Sequence, residues 1–147
     1  MDKKYQTAPC GLDCFNCPAH RENLTDKKKK EVSDSLKIAP DEVGCKGCRA
    51  EGGRCYFMKE DCATWVCAQE KGVTYCYECS EFPCGLLAPS SKEVWRPHNM
   101  KVYNLCRMKL LGIDGWIEEA AGIRDRYYNG KFVVGQGPIL ETNQSQQ

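Results

Sequence analysis

Cysteine is the residue type in this sequence with the plainest chemistry: twelve occur in 147 residues, and eleven of them fall between Cys10 and Cys84. Six form three C-x2-C pairs, Cys14/Cys17, Cys45/Cys48 and Cys76/Cys79. Two thiolates at that spacing on a tight turn can reach one ion at about 2.3 Å each, leaving two tetrahedral corners for a second pair. Gly47, inside the second pair, suits such a turn, where a side chain would crowd the sulfurs. Cys10, Cys62, Cys67 and Cys84 are further candidate ligands, and the ten together exceed what two closed four-thiolate sites need. At least two are therefore spare or serve another site. Cys55 follows Gly-Gly-Arg in an irregular stretch and Cys106 sits in an apolar helical stripe; both are read as non-ligands, Cys106 as a small buried hydrophobe.

Metal rather than disulfide follows from composition and compartment. Residues 1–84 hold eight Ile, Leu and Val, residues 85–147 fourteen, so the cysteine-rich region lacks an ordinary core. Ordering each residue costs about 1 to 2 kcal/mol, which such a region must offset with disulfides or metal. The N-terminus, MDKKYQTAPCGLDC, has no apolar run of signal-peptide length, and no stretch approaches a membrane span. A cytoplasmic location is expected, where thiols stay reduced and C-x2-C pairs read as metal ligands. Two zinc ions are the expected cofactor, with an iron-sulfur cluster as the alternative. The net charge of +1 from 21 basic and 20 acidic residues argues against a general polyanion-binding surface. Lys27–Lys30 reads as a solvated helix face. His20 is assigned to surface or capping duty, and His98 to capping or packing, although His98 is the better candidate for a functional polar residue.

The elements that would position these groups are mainly α, with irregular metal-organised loops and a few short strands. Residues 1–84 form the metal-binding region; residues 85–147 form a helical region packing on it, frayed from about residue 141, in one compact domain. A short helix is predicted from Thr25 to Ile38, capped by Thr25 or Asp26, with Val32 and Leu36 on its apolar face and Pro40 at its end. Another runs from Thr64 to Lys71 with Gly72 as its stop. Capped at Thr64, it places Cys67 in its first turn, where free N–H groups favour a thiolate. Cys62 and Cys67 would diverge by about 140 degrees on a continuous helix, so they share an ion only if the helix starts after Cys62. A third helix has Pro97 in its first turn, Val102, Leu105, Cys106, Leu110 and Ile113 as one stripe, and Gly112 at its end. Asp114 then caps a fourth that buries Trp116, Ile117, Ala120, Ile123 and Tyr127. Asn129-Gly130 signals a turn, with KFVVG as a strand pairing with the chain before it.

Cys10-x3-Cys14-x2-Cys17 resembles the cluster-binding spacing of radical S-adenosylmethionine enzymes, but those need a far longer barrel of alternating strands and helices. A broader resemblance covers residues 8–120. APCGLDCFNCPA, CKGCR, CATWVCAQEKGV, CYECSEFPC and HNMKVYNLCRMKLLGIDGWIEE resemble, in order and spacing, the short prokaryotic cysteine-rich proteins catalogued as domain of unknown function 3795. The resemblance implies zinc as the metal and implies no activity. Many relatives carry a cysteine shortly before the position of Cys62, where this chain has Lys59 and an offset Cys55. No paired carboxylates, nucleophile-base motif or phosphate loop suggests catalysis, and no catalytic residue is assigned. The expected function is a zinc-shaped interaction module for a protein or small ligand. An iron-sulfur redox or sensor protein and a small metalloenzyme with an open metal position are the alternatives; nucleic-acid stacking on Tyr75 and Tyr77 is the weakest.

Overall fold

The computed structural model describes residues 1–54, 58, 60–91 and 97–140. Cys55, Lys59 and the polar tail from residue 141 lie outside them. The described chain is mainly α with a few short strands. Helix α1 spans Asp26–Leu36, α2 Ala63–Glu70 and α3 Met100–Asn129, and three single-turn 3-10 helices cover Cys14–Asn16, Arg21–Asn23 and Cys76–Glu78. Strands β1 (Ser90–Ser91) and β2 (Pro97–His98) pair antiparallel, as do β3 (Lys131–Val133) and β4 (Gly137–Ile139). No helix among the described residues is long and apolar enough to cross a membrane.

Local chemistry explains most boundaries. The Thr25 hydroxyl accepts the Lys28 N–H at 3.2 Å and caps α1. The helix ends ahead of Pro40 because Lys37 turns left-handed at φ 55° and its N–H returns to the Ser33 carbonyl. Leu36 stays 52% exposed, so α1 buries only a narrow face. In α2 the cap position belongs to Cys62, not Thr64, whose hydroxyl is drawn instead to the Leu86 carbonyl at 3.0 Å. The helix thus starts directly after Cys62, and Cys67 moves from the expected first turn into the second, beyond the free N–H groups.

Pro97 belongs to β2 rather than to a helix, and Asn99 takes the position before α3. Helix α3 breaks at Gly112, where φ 73° and ψ 168° are open to glycine and strained for other residues. It resumes at once, so Asp114 is helical and pairs with Lys4 at 2.8 Å instead of capping. The first segment is rotated from the expected stripe: Met100, Asn104, Leu105 and Met108 are buried, Leu110 is 71% exposed and Cys106 is exposed rather than buried. In the second segment Trp116, Ala120 and Ile123 are buried as expected. The strand after Asn129-Gly130 pairs with the chain that follows it, because Val133 to Gly137 makes the reversal; the chain before is still helix.

The interior of the cysteine-rich region comes largely from α3. Ala8, Cys10, Phe15 and Tyr75 pack in one cluster with Met100, Leu105, Met108, Trp116, Ala120 and Ile123. Phe15 meets Trp116 edge to face at 5.9 Å. Buried Asn104 donates its amide to the Gly11 carbonyl at 2.7 Å, and a Cβ on Gly11 would strike the Lys101 carbonyl and Leu105. Backbone of the first cysteine loop therefore lies directly on the helix.

Candidate metal centre

All eleven described cysteines are free thiols, and most of the ten candidates gather into two groups. The first is built on α2 and the loop after it. Cys67 on α2, Cys76 in its 3-10 turn, Cys79 and Cys84 line a cavity of about 140 Å3 together with Thr64 and Leu87. The Glu81 N–H reaches the Cys79 sulfur at 3.4 Å, the backbone-to-sulfur bond that suits a thiolate. Lys71, at the end of α2, pairs with Glu81 at 2.6 Å and ties the helix to this loop. Burial, with the neighbouring Cys84, Cys67 and Cys79, pushes the Cys76 thiol up to about 11.

The second group joins the loop before Cys17 to the turn at Cys45–Cys48. The Cys14 thiol donates to the Cys48 sulfur, which holds Cys48 down to about 7 and Cys14 far above its ordinary value, with Cys10 and Cys45 opposing a second charge at Cys14. Burial pushes Cys10 up to about 12. The Cys45 sulfur accepts the Gly47 N–H at 3.2 Å and its thiol donates to Glu51 at 3.4 Å. Gly47 stands at φ +92°, a backbone that demands glycine, and a Cβ there would have to displace the Gln6 carboxamide.

Two candidates stand apart. Cys62 lies within electrostatic reach of Cys10 on one side and Cys76 on the other, between the groups. Cys17 lies beside the Arg124 guanidinium, whose charge its sulfur helps to hold. Among the described residues, no three His, Cys, Asp or Glu side chains stand close enough to grip one ion. The two groups are thus assembled donors rather than formed coordination spheres. Their chemistry fits zinc: soft thiolate donors, with backbone N–H groups already directed at two of the sulfurs.

His20 is no ligand candidate in this arrangement. It is buried, its Nδ1 accepts the Glu22 N–H at 3.3 Å as a cap, and its Nε2 meets Gln6 at 3.0 Å. Tyr75 is also buried, donates its hydroxyl to the Lys4 carbonyl at 3.2 Å and stacks on Tyr77 at 5.8 Å.

The positioning residues were not visible in the cysteine pattern. Arg49 donates to the carbonyls of Thr7 (3.1 Å) and Thr74 (2.7 Å), so one guanidinium joins the loops carrying the two groups; the Cys76 N–H on the Pro9 carbonyl at 2.9 Å adds to this join. Asp13, beside Cys14 and 1% exposed, pairs with Arg124 of α3 at 3.0 Å. Burial raises the Asp13 carboxyl above its ordinary range despite Arg124 and the Asn16 amide. Burial also opposes the Arg124 charge, but Asp13 and Cys17 outweigh it. The signal available in sequence was the lone acid inside a cysteine loop and the lone arginine on an apolar helix face.

Residues 6–89 match the family described as Protein of unknown function (DUF3795), a stretch that takes in both thiol groups. The resemblance drawn from motifs ran on to about residue 120, whereas the match stops before α3. No curated protein and no solved structure matches the chain. With more than half of its length matched, and with the cysteine loops inside that stretch, the chain belongs to the DUF3795 family.

Proposed function

We propose that this chain is a zinc-shaped interaction module in which two structural zinc ions are held by thiolates, one by Cys67, Cys76, Cys79 and Cys84 and one by Cys10, Cys14, Cys45 and Cys48. The observation that carries this reading is the lining of a single small cavity by four cysteines drawn from α2 and the following loop. Zinc fully ligated by four thiolates has no open position, so its contribution would be to folding, roughly 10 kcal/mol or more per site. The chain's own part is to set the loops: Arg49 joins the two groups, Asp13 and Arg124 anchor the Cys10, Cys14, Cys45 and Cys48 group to α3, and Gly47 permits its turn. Cys62 and Cys17 are outside both ligand sets. The loops so fixed present a surface to a protein or small ligand.

Metal content of protein never exposed to added metal, read by native mass spectrometry, tests this. Two zinc ions per chain are expected, with one lost in Cys67→Ser/Cys79→Ser and the other in Cys14→Ser/Cys48→Ser, while Cys17→Ser keeps both. Retention of the full circular dichroism spectrum after complete metal removal would overturn the structural role. A brown, iron-containing protein would overturn zinc.

A further inference from the structure

A large concavity lies away from the thiols, between the end of α3 and the two hairpins. It is a groove of about 720 Å3 lined by residues that include His98, Tyr103, Arg126, Tyr127 and Phe132. Three of its features are unmet needs. His98 Nδ1 accepts the Met100 N–H at 3.4 Å, so the proton of the neutral ring is on Nε2. That Nε2 is shut from solvent and finds no acceptor among the described residues. Among the described residues Arg126 lines the groove without an ion pair, and no carboxylate stands in the lining. Phe132 lines it with 70% of its surface exposed, as do Tyr103 and Tyr127, whose rings lie 5.8 Å apart.

The surroundings of the imidazole select the ligand's charge. Rings of Tyr127 and Tyr128 hold His98 at 5.4 and 4.9 Å, edge to face. The charges acting on it come from Arg124, already committed to Asp13, and Lys101; both favour the neutral ring, as burial does. A neutral N–H donor, a guanidinium and aromatic walls together accept a flat apolar body with an anionic oxygen group at one end. An uncharged apolar ligand would leave both donors unmet, and a cation would be repelled.

We propose that this groove binds a small aromatic carboxylate, its carboxylate on Arg126 and His98 Nε2 and its ring between Phe132 and the Tyr103 and Tyr127 side chains. The site is independent of the thiols, so its occupancy is readable whatever the metal content proves to be. Benzoate is the probe, titrated into natively isolated protein and followed by NMR line shifts or calorimetry, with phenol and acetate as the ring-only and charge-only controls. Saturable benzoate binding is expected at least about tenfold tighter than either control, since one charge-assisted hydrogen bond is worth about that factor. Arg126→Gln should weaken benzoate about tenfold, and His98→Phe, which keeps the ring but removes the donor, by a smaller factor. Arg126 sits at the helix end, outside the buried cluster, so its variant keeps the test available should the His98 variant fail to fold. Absence of saturation up to about 10 mM benzoate, equal affinity for phenol, or unchanged affinity in Arg126→Gln would each overturn the proposal.

Discussion

Replacing Asp13 by Asn tests whether the first cysteine loop is held to α3 by charge. The carboxylate is 1% exposed, and its partner Arg124 is 13% exposed at 3.0 Å. Asn16 donates to the other carboxylate oxygen at 3.0 Å, and Arg124 also donates to the Asn16 carbonyl at 3.2 Å. Asp13→Asn therefore leaves a buried guanidinium with its backbone acceptor and Cys17 but no carboxylate. Breaking a buried pair from one side costs about 3 to 5 kcal/mol. The surviving acceptors and residual exposure of Arg124 place this case at the lower end, about 3 kcal/mol. For a chain of this size, that is a fall in melting temperature on the order of 10 °C. Urea unfolding followed by circular dichroism, on metal-loaded protein, gives the number; Arg124→Met and the double variant complete a cycle. The double variant should recover much of the loss, because no charge is then stranded. A loss below about 1 kcal/mol in Asp13→Asn, or no recovery in the double variant, would refute the reasoning.

Metal uptake should weaken as pH falls. Burial holds Cys10 at about 12 and Cys76 at about 11, so these thiols carry protons in the metal-free chain and must release them to an ion. Affinity should climb steadily from about pH 6 to 8 in competition with a chromophoric chelator, with proton release in calorimetry; a flat profile would count against these ligands. Gly47→Ala forces a side chain into φ +92° and against Gln6, and should cost about 1 to 3 kcal/mol together with the Gln6 bond to His20. Amide NMR shifts at Gln6 and His20 that stay in place, with unchanged stability, would show that the turn tolerates the methyl.

The helices were legible where a local signal and a tertiary demand agreed. Thr25 capped α1 as read, and the apolar run from Trp116 to Ile123 went inward because it had Phe15 to cover. The reading failed where a distant partner outbid the local signal. Thr64 looked like a cap until Leu86 offered its carbonyl, and Cys106 belonged to a stripe on paper while the loop at Gly11 chose the Asn104 and Leu105 face instead. Spacing alone also left Arg124 unseen: a C-x2-C interval says that two thiols can meet, and only the fold brings Cys17 beside a guanidinium more than a hundred residues away in sequence. The cavity shared by Cys67, Cys76, Cys79 and Cys84 needed the fold, since the first-turn position that favoured Cys67 in the sequence is not the one it takes.

The break at Gly112 sets how this family member can tolerate length change. Upstream of it, Asn104 and Leu105 hold Gly11; downstream, Trp116 and Arg124 hold Phe15 and Asp13. Both halves thus grip one short loop, and the phase between them is fixed at a single residue. Inserting or deleting one residue after Gly112 would turn the downstream half by about 100 degrees, withdrawing the indole and the guanidinium together. Added or lost residues should therefore be tolerated only where no such phase has to be kept, such as the reversal between β3 and β4.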